Sequence, residues 1–152
     1  MITSLQNPTI KNVVKLSKSK ERAEQQLFII EGARELSLAL EGGYSITQAF
    51  VCRELFYHTR YPRVLDAFPT PSIVEISLEV FHKIAYRENS DGIVALARPK
   101  QHGLEELKLS ENPFLIFLES VEKPGNLGAV LRTADAAGVD AVVVCDPRTD
   151  LY

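Results

Sequence analysis

The chain has 152 residues, of which 45% are hydrophobic and 24% are charged, and its formal net charge is −3. This length suits one ordinary domain or two small ones, and the composition is typical of a folded globular protein. No apolar run reaches the ~18 residues that a membrane helix needs, and the first residues lack the pattern of a secretory signal. Cys52 and Cys145 lie far apart, so we expect two buried thiols in a reducing cytoplasm, with a disulfide as the alternative.

The charge is unevenly distributed along the chain. Residues 1–100 contain 13 basic and 11 acidic side chains, whereas residues 101–152 contain 4 basic and 9 acidic ones. Residues 1–22 hold five of the basic side chains and one acidic one. Such a stretch can follow a phosphate backbone, because each cation that neutralises a phosphate releases a counterion. A solvated helix face gives the same pattern, so charge alone leaves both interpretations open.

Helices and strands alternate through the first part of the sequence. A first helix begins at Asn7-Pro8, where Asn7 can cap the helix and Pro8 fixes φ. Apolar periodicity and breaker residues predict strands at 27–30, 46–51, 73–76 and 93–97, and helices at 33–41, 62–68 and 78–86. This alternation predicts an α/β domain with a mostly parallel sheet.

A second α/β unit follows a charged stretch at 98–112, which we interpret as a linker. Apolar strands at 114–118 and 141–145 flank a helix at 125–138, which predicts one right-handed βαβ unit. Strands without polar interruption are typical of a sheet that is covered on both faces. Chains of roughly 40 residues rarely hold such a core unaided, so we expect this unit to be incomplete. A fragment is favoured over completion by a partner.

The segment between these two strands is the most informative part of the sequence. Open α/β sheets bind ligands at the carboxyl ends of their strands, where this segment begins. Arg132 lies about 140° round the helix from the apolar Leu127 and therefore points away from the core. Gly128, one turn earlier, leaves space beside Arg132, and Asn126 can cap the helix. A capped helix with one solvated arginine explains the same residues, and the glycine spacing of a dinucleotide loop is missing.

Two stretches of the sequence resemble one known family. Residues 124–134 contain the pattern N-x-G-A-x-x-R-T-A, and Ala136-Ala137-Gly138 follows it. This order resembles the first motif of the SpoU (TrmH) family of RNA ribose 2′-O-methyltransferases, within the knotted SPOUT superfamily. The amino-terminal part is similar to the substrate-binding domain of that family, through Ile2-Thr3-Ser4, Asn7-Pro8, Ile10-Lys11, Leu16, Lys20, Arg22, the run 28–32 with Arg34, and the strand at 92–95. Only the turn at 87–91 departs from the shorter turn of many members.

The resemblance implies a fold and an activity. The fold is a small ribosomal-protein-like α/β RNA-binding domain at 1–97, a linker at 98–112 and the first βαβ unit of a SPOUT domain at 113–152. The activity is methyl transfer from S-adenosyl-L-methionine to a ribose 2′-hydroxyl of tRNA or rRNA. The resemblance also implies a homodimer in the cytoplasm that is not associated with a membrane. Later motifs of the family bind the methyl donor, so we expect the donor-binding residues beyond Tyr152 and no methylation by this chain alone. A non-catalytic RNA-binding module is the alternative function.

The resemblance also assigns roles to single residues. It makes Arg132 the catalytic residue, supported by Asn126. A guanidinium has a pKa above 12, so we expect Arg132 to position the phosphate or hydroxyl of the acceptor, and to act as a base only if its neighbours depress that pKa. Glu122 can orient Arg132 or face water.

For RNA contacts the resemblance points to cations in both parts of the chain. We predict that RNA is bound by Lys11, Lys20, Arg22, Arg34 and Lys123. Two structural alternatives stay open, in which Arg34 pairs with Glu31 and Lys123 is simply solvated. No metal site is expected, because the three histidines, at positions 58, 82 and 102, lack the spacing of ligands.

Overall fold

The structure of the chain is a computed structural model that describes residues 1–68, 72–100 and 103–151. These residues fall into two compact units, residues 1–100 (unit 1) and residues 101–152 (unit 2). His102 and Tyr152, and part of the stretch interpreted as a linker, lie outside the described residues. Within the described residues, no helix has the length and apolar character needed to cross a bilayer.

Unit 1 follows the predicted order of helices and strands, with two additional short helices. Its strands are β1 (Phe28–Glu31), β2 (Ile46–Val51), β3 (Ile73–Glu75) and β4 (Ile93–Ala97), and its helices are α1 (Pro8–Lys15), α2 (Ser19–Gln25), α3 (Ala33–Glu41), α4 (Arg53–Phe56) and α5 (Leu78–Ile84). Residues 62–67 form a 3₁₀ helix where an ordinary helix was predicted. The sequence analysis missed α2 because none of its residues is buried, so it has no apolar periodicity.

The sheet of unit 1 is mixed, so the prediction of a mostly parallel sheet is wrong. The strand order is β1-β4-β2-β3; β4 runs antiparallel to both β1 and β2, and only β2 and β3 pair in parallel. The segment after α5 contacts the carboxyl end of β1 before β4 begins. There the carboxylate of Glu31 accepts hydrogen bonds from the backbone N–H groups of Tyr86 and Arg87, at 2.7 and 3.1 Å. Strand β4 therefore starts at the edge where β1 ends.

The core of unit 1 lies between the sheet and two helices. Side chains of α1 and α5 pack with those of β2 and β4 in one cluster that includes Ile10, Val13, Phe50, Phe81 and Val94. All five residues of β4 are buried, which requires cover on both faces of the sheet. As predicted, Asn7 caps α1 by accepting a hydrogen bond from the N–H of Thr9, at 2.9 Å.

Unit 2 is a strand-helix-strand unit, as predicted. It contains β5 (Leu115–Glu119), α6 (Pro124–Ala136) and β6 (Ala141–Cys145), and the two strands pair in parallel with Leu115 opposite Ala141. The prediction that Asn126 caps the helix is wrong, because α6 begins earlier. Lys123 occupies the N-cap position and Pro124 the first helical position, where a proline needs no hydrogen-bond acceptor.

The sheet of unit 2 is poorly covered within the described residues. None of the residues of β5 and β6 is buried, and Phe117 is 67% exposed. On α6 only Leu127 and Ala134 are buried. Within the described residues, this poor cover agrees with the expectation that about 40 residues cannot bury both faces of two such strands.

Candidate functional site

The carboxyl ends of β5 and β6 are joined by a hydrogen-bonded pair of loops. The hydroxyl of Ser120 donates to Oδ2 of Asp146 at 3.0 Å, and the N–H of Ser120 donates to the carbonyl of Cys145 at 2.9 Å. The N–H of Arg148 donates to the carbonyl of Val121, at 3.1 Å. These contacts hold together the two loops that frame the start of α6.

Ser120 and Asp146 both adopt left-handed backbone conformations, with φ of +53° and +46°. Left-handed backbone is unfavourable for residues other than glycine, and it is common at functional sites. The sequence analysis gave neither residue a role, because strand and helix patterns end just before them. The aspartate that follows β6 was the available signal, since Asp tolerates this conformation better than most residues.

Arg132 is exposed, and its side chain leans back along α6. A Cβ atom built on Gly128 would lie 3.5 Å from Nη1 of Arg132, so the guanidinium sits beside the backbone of Gly128. Four residues of helix correspond to about 6 Å, so this places the charge one turn nearer to the carboxyl edge than the Cα of Arg132. No hydrogen bond or ion pair involves Arg132 within the described ranges, which leaves its donors available to a ligand.

Asn126, Lys123 and Glu122 lie near the start of α6, and all three side chains are exposed. The N–H of Asn126 donates to the carbonyl of Lys123 at 3.0 Å, so Asn126 is part of the first turn. Glu122 forms no ion pair with Arg132, which favours the interpretation that it faces water. The RNA contact of Lys123 stays a prediction.

Three of the predicted RNA contacts lie on the first two helices. Lys11 is exposed on α1, and Lys20 on α2 forms an exposed ion pair with Glu24 at 3.7 Å. Arg22 donates through Nη1 to the carbonyls of Leu16 and Ser17, both at 2.8 Å, so it binds the carboxyl end of α1. Arg22 thus has a structural role, while RNA binding by all three stays a prediction.

Arg34 is exposed on the first turn of α3, and the alternative in which it pairs with Glu31 is wrong. The carboxylate of Glu31 accepts backbone N–H groups instead, and the neighbouring Glu35 pairs with Arg87 at 2.9 Å. Burial raises the pKa of Glu35, but the hydrogen bond from Arg87 and the charges of Arg87 and Arg34 outweigh it and hold that pKa below its ordinary value. RNA binding by Arg34 stays a prediction.

The two cysteines are both free, and one is not where it was expected. Cys52 is buried as predicted, whereas Cys145 at the end of β6 is exposed. Throughout the part of the chain that the structure describes, no group of three or more His, Cys, Asp or Glu side chains is placed to hold a metal ion.

Comparison with known proteins assigns both parts of the chain. Residues 7–95 match the model of the MRM3-like substrate binding domain, and residues 113–152 match the SpoU rRNA Methylase family. The 23S rRNA (guanosine(2553)-2′-O)-methyltransferase RlmP of Bacillus subtilis (strain 168) is 32% identical over 151 residues, which are 99% of this chain and 56% of that protein. RlmB of Haemophilus ducreyi, a 23S rRNA (guanosine-2′-O-)-methyltransferase, is 43% identical over 79 residues, which are 48% of this chain and 32% of that protein.

Solved structures agree with these relatives. A crystal structure of an RNA 2′-O ribose methyltransferase is 42% identical, with a TM-score of 0.79 over 94% of this chain and 54% of that one. The AdoMet-bound rRNA methyltransferase from Sinorhizobium meliloti is 28% identical, with a TM-score of 0.80 over 98% of this chain and 55% of that one. The predicted α/β architecture is confirmed, and the chain spans about half the length of the curated relatives it matches.

Proposed function

The chain belongs to the SpoU rRNA methylase family, and we propose that it forms the RNA-binding domain and the acceptor-positioning part of an RNA ribose 2′-O-methyltransferase. S-adenosyl-L-methionine is the proposed methyl donor, and ribosomal RNA is the substrate class that the relatives favour. The observation that carries the proposal is the unpaired guanidinium of Arg132. It lies beside Gly128 within the matched motif, near the carboxyl edge of β5 and β6.

The physical role of Arg132 follows from its charge. In methyl transfer the 2′-oxygen of the ribose gains a bond to carbon and loses its proton, so negative charge develops on that oxygen. A fixed guanidinium with several N–H donors can bind the adjacent phosphate in a bidentate manner and stabilise this charge. A guanidinium is a poor proton acceptor in general, so we propose that the proton goes to another group.

Ser120 and Asp146 hydrogen bond to each other, and no buried side-chain nitrogen or oxygen of the described part of unit 2 is left without a partner. S-adenosyl-L-methionine would supply an electrophilic methyl group on a sulfonium. We propose that residues outside 1–152 hold it, and we assign none of its contacts to this chain.

Dimer formation and location are further parts of the proposal. Phe117 and Leu131 expose 67% and 45% of their surface, and exposed apolar side chains of this size favour a protein–protein contact. We propose a homodimer formed through this domain. A cytoplasmic location accords with an RNA substrate and with the free thiols of Cys52 and Cys145.

Methyl labelling tests the proposed function. The native gene product that contains residues 1–152 is incubated with ribosomal RNA and S-adenosyl-L-methionine labelled in its methyl group. We expect label on ribose, recognised because a 2′-O-methyl group protects the adjacent phosphodiester from alkali. Label on bases alone contradicts the ribose chemistry, and RNA binding without labelling favours a non-catalytic RNA-binding module.

A further inference from the structure

Unit 1 contains an open cavity of about 560 Å³ that the proposed chemistry does not use. One wall is formed by α3, through Ser37, Leu40 and Glu41, and the other includes Arg60, Tyr61 and Arg63 at the start of the 3₁₀ helix. Its volume lies within the range of sites for small ligands, which is about 300–1,000 Å³. The cavity therefore has room for one nucleotide.

The two arginines at this cavity are not used by the fold. Both Arg60 and Arg63 are exposed, and neither has an ion pair or side-chain hydrogen bond within the described residues. Other arginines of the same unit are engaged, since Arg53 binds Glu75 at 2.6 Å and Arg87 binds Glu35 at 2.9 Å. Two such guanidinium groups, on either side of Tyr61 in the sequence, suit the phosphates that flank a nucleotide.

Tyr61, between these arginines, supplies an aromatic surface on a fixed backbone. Its side chain is 39% exposed and lines the cavity. The N–H of Tyr61 donates to the hydroxyl of Thr59 at 3.2 Å, and that hydroxyl donates to Asp91 at 3.1 Å. The carbonyl of Tyr61 accepts from the N–H of the buried Val64, at 3.1 Å. An aromatic ring held in this way is a stacking surface for a base that is not paired.

The wall on α3 adds polar groups that face the same space. The hydroxyl of Ser37 donates to Oε1 of Glu41 at 3.3 Å, which leaves the other carboxylate oxygen as an acceptor. Amino and imino groups on a base edge can donate to such an oxygen, whereas a phosphate is repelled by it. The α3 wall therefore suits the edge of a base, and the phosphates belong near Arg60 and Arg63 on the other wall.

We propose that this cavity binds one unpaired nucleotide of the RNA substrate. The base stacks on Tyr61 with its edge toward Glu41, and the flanking phosphates contact Arg60 and Arg63. The proposal rests on the proposed function, because it assumes that unit 1 binds RNA. A duplex does not fit this description, since its bases are stacked on one another and paired.

Fluorescence anisotropy with the full chain tests the proposal, using labelled single-stranded oligo(A) and a labelled blunt RNA duplex as probes. We expect tighter binding to the single strand and about a tenfold loss of that affinity in Tyr61→Ala, in line with the loss of one stacked base. Tyr61→Phe keeps the ring and should bind within twofold of the unmodified chain. Arg60→Ala and Arg63→Ala should each reduce the slope of log affinity against log salt by about one.

The controls separate this cavity from RNA binding in general. Tyr86→Ala removes a tyrosine that is 96% exposed and outside the cavity, and should leave the affinity unchanged. Thermal unfolding of each variant shows whether unit 1 is intact. If Tyr61→Ala unfolds, Tyr61→Phe still tests the proposal, because loss of RNA binding in Tyr61→Phe contradicts stacking on the ring. If the unmodified chain binds neither probe, the RNA-binding proposal fails and this one with it. If the unmodified chain binds RNA and Tyr61→Ala binds it equally well, the proposal about the cavity is overturned and the RNA-binding proposal stands.

Discussion

Strands β4 and β6 have similar sequences and different surroundings. Ile93–Ala97 and Ala141–Cys145 are both five-residue apolar strands, but every residue of β4 is buried and no residue of β6 is. Strand β4 lies between β1 and β2, whereas β6 pairs only with β5. An apolar strand is thus typical of a buried position, but its burial depends on how many neighbours the chain provides. Unit 1 is complete in this sense, and unit 2 leaves apolar surface open.

The largest expected effect tests this difference through two phenylalanines. Phe50 in β2 is 0% exposed, so Phe50→Ala should lower the free energy of unfolding of unit 1 by about 3–5 kcal/mol. Phe117 in β5 is 67% exposed, so Phe117→Ala should change the stability of unit 2 by less than about 0.5 kcal/mol. Urea unfolding of the two variants checks both values. Equal losses would mean that β5 is as well covered as β2.

A smaller effect distinguishes two glycines that both have positive φ. Gly92, at +81°, precedes β4, and a Cβ there would lie 2.5 Å from the backbone nitrogen of Phe56. Gly138, at +68°, follows α6 and has no atom within 4 Å of such a Cβ. Gly92→Ala should therefore cost about 2–4 kcal/mol, since overlap is added to backbone strain, and Gly138→Ala only about 1–2 kcal/mol.

Thermal unfolding, monitored by hydrogen exchange, assigns the stability lost in each variant to unit 1 or to unit 2. A cost for Gly138→Ala that equals the cost for Gly92→Ala would contradict the open surroundings of Gly138.

The smallest effect concerns acid stability of unit 2. The carboxylate of Asp140, just before β6, accepts hydrogen bonds from the N–H groups of Phe114 and Ser110, each at 2.9 Å. These bonds favour the ionised form and hold the pKa of Asp140 below its ordinary value of 3.8. The stabilisation of unit 2 by ionised Asp140 is therefore fully present when the pH is above the ordinary pKa. It is lost as the pH falls through the lower pKa of the folded state.

Asp140→Asn removes this pH dependence. We expect a lower unfolding temperature of unit 2 at neutral pH and a flatter profile below about pH 4. Asp135→Asn, on the exposed face of α6, is the matched control and should leave the profile unchanged. An unchanged acid profile in Asp140→Asn would show that its two N–H bonds do not stabilise the unit.

The sequence predicts the elements of both units better than their arrangement. The cap at Asn7 and the apolar runs of β2, β4 and β6 are local signals, and the structure confirms them. The antiparallel position of β4 involves pairing with β1 and contacts of Glu31 with a backbone segment 55 residues later, which no local pattern contains.

The candidate site shows the same limit. The exposure of Arg132 follows from helix periodicity, since its position lies away from the buried Leu127. In contrast, the hydrogen bond between Ser120 and Asp146 joins residues 26 positions apart that follow two different strands. The N-cap of α6 was misplaced because Asn126 is a better cap by type than Lys123, and Pro124 moved the boundary.

The role of Arg132 is tested most directly by methyl transfer in the native gene product carrying Arg132→Ala. We predict a rate at least about a hundredfold lower, as expected when a group that stabilises developing charge is removed, with the thermal unfolding of the protein unchanged. Lys108→Ala, elsewhere in unit 2, should keep the original rate. Transfer by Arg132→Ala at the rate of the unmodified protein would contradict the account and make Arg132 a solvated surface residue.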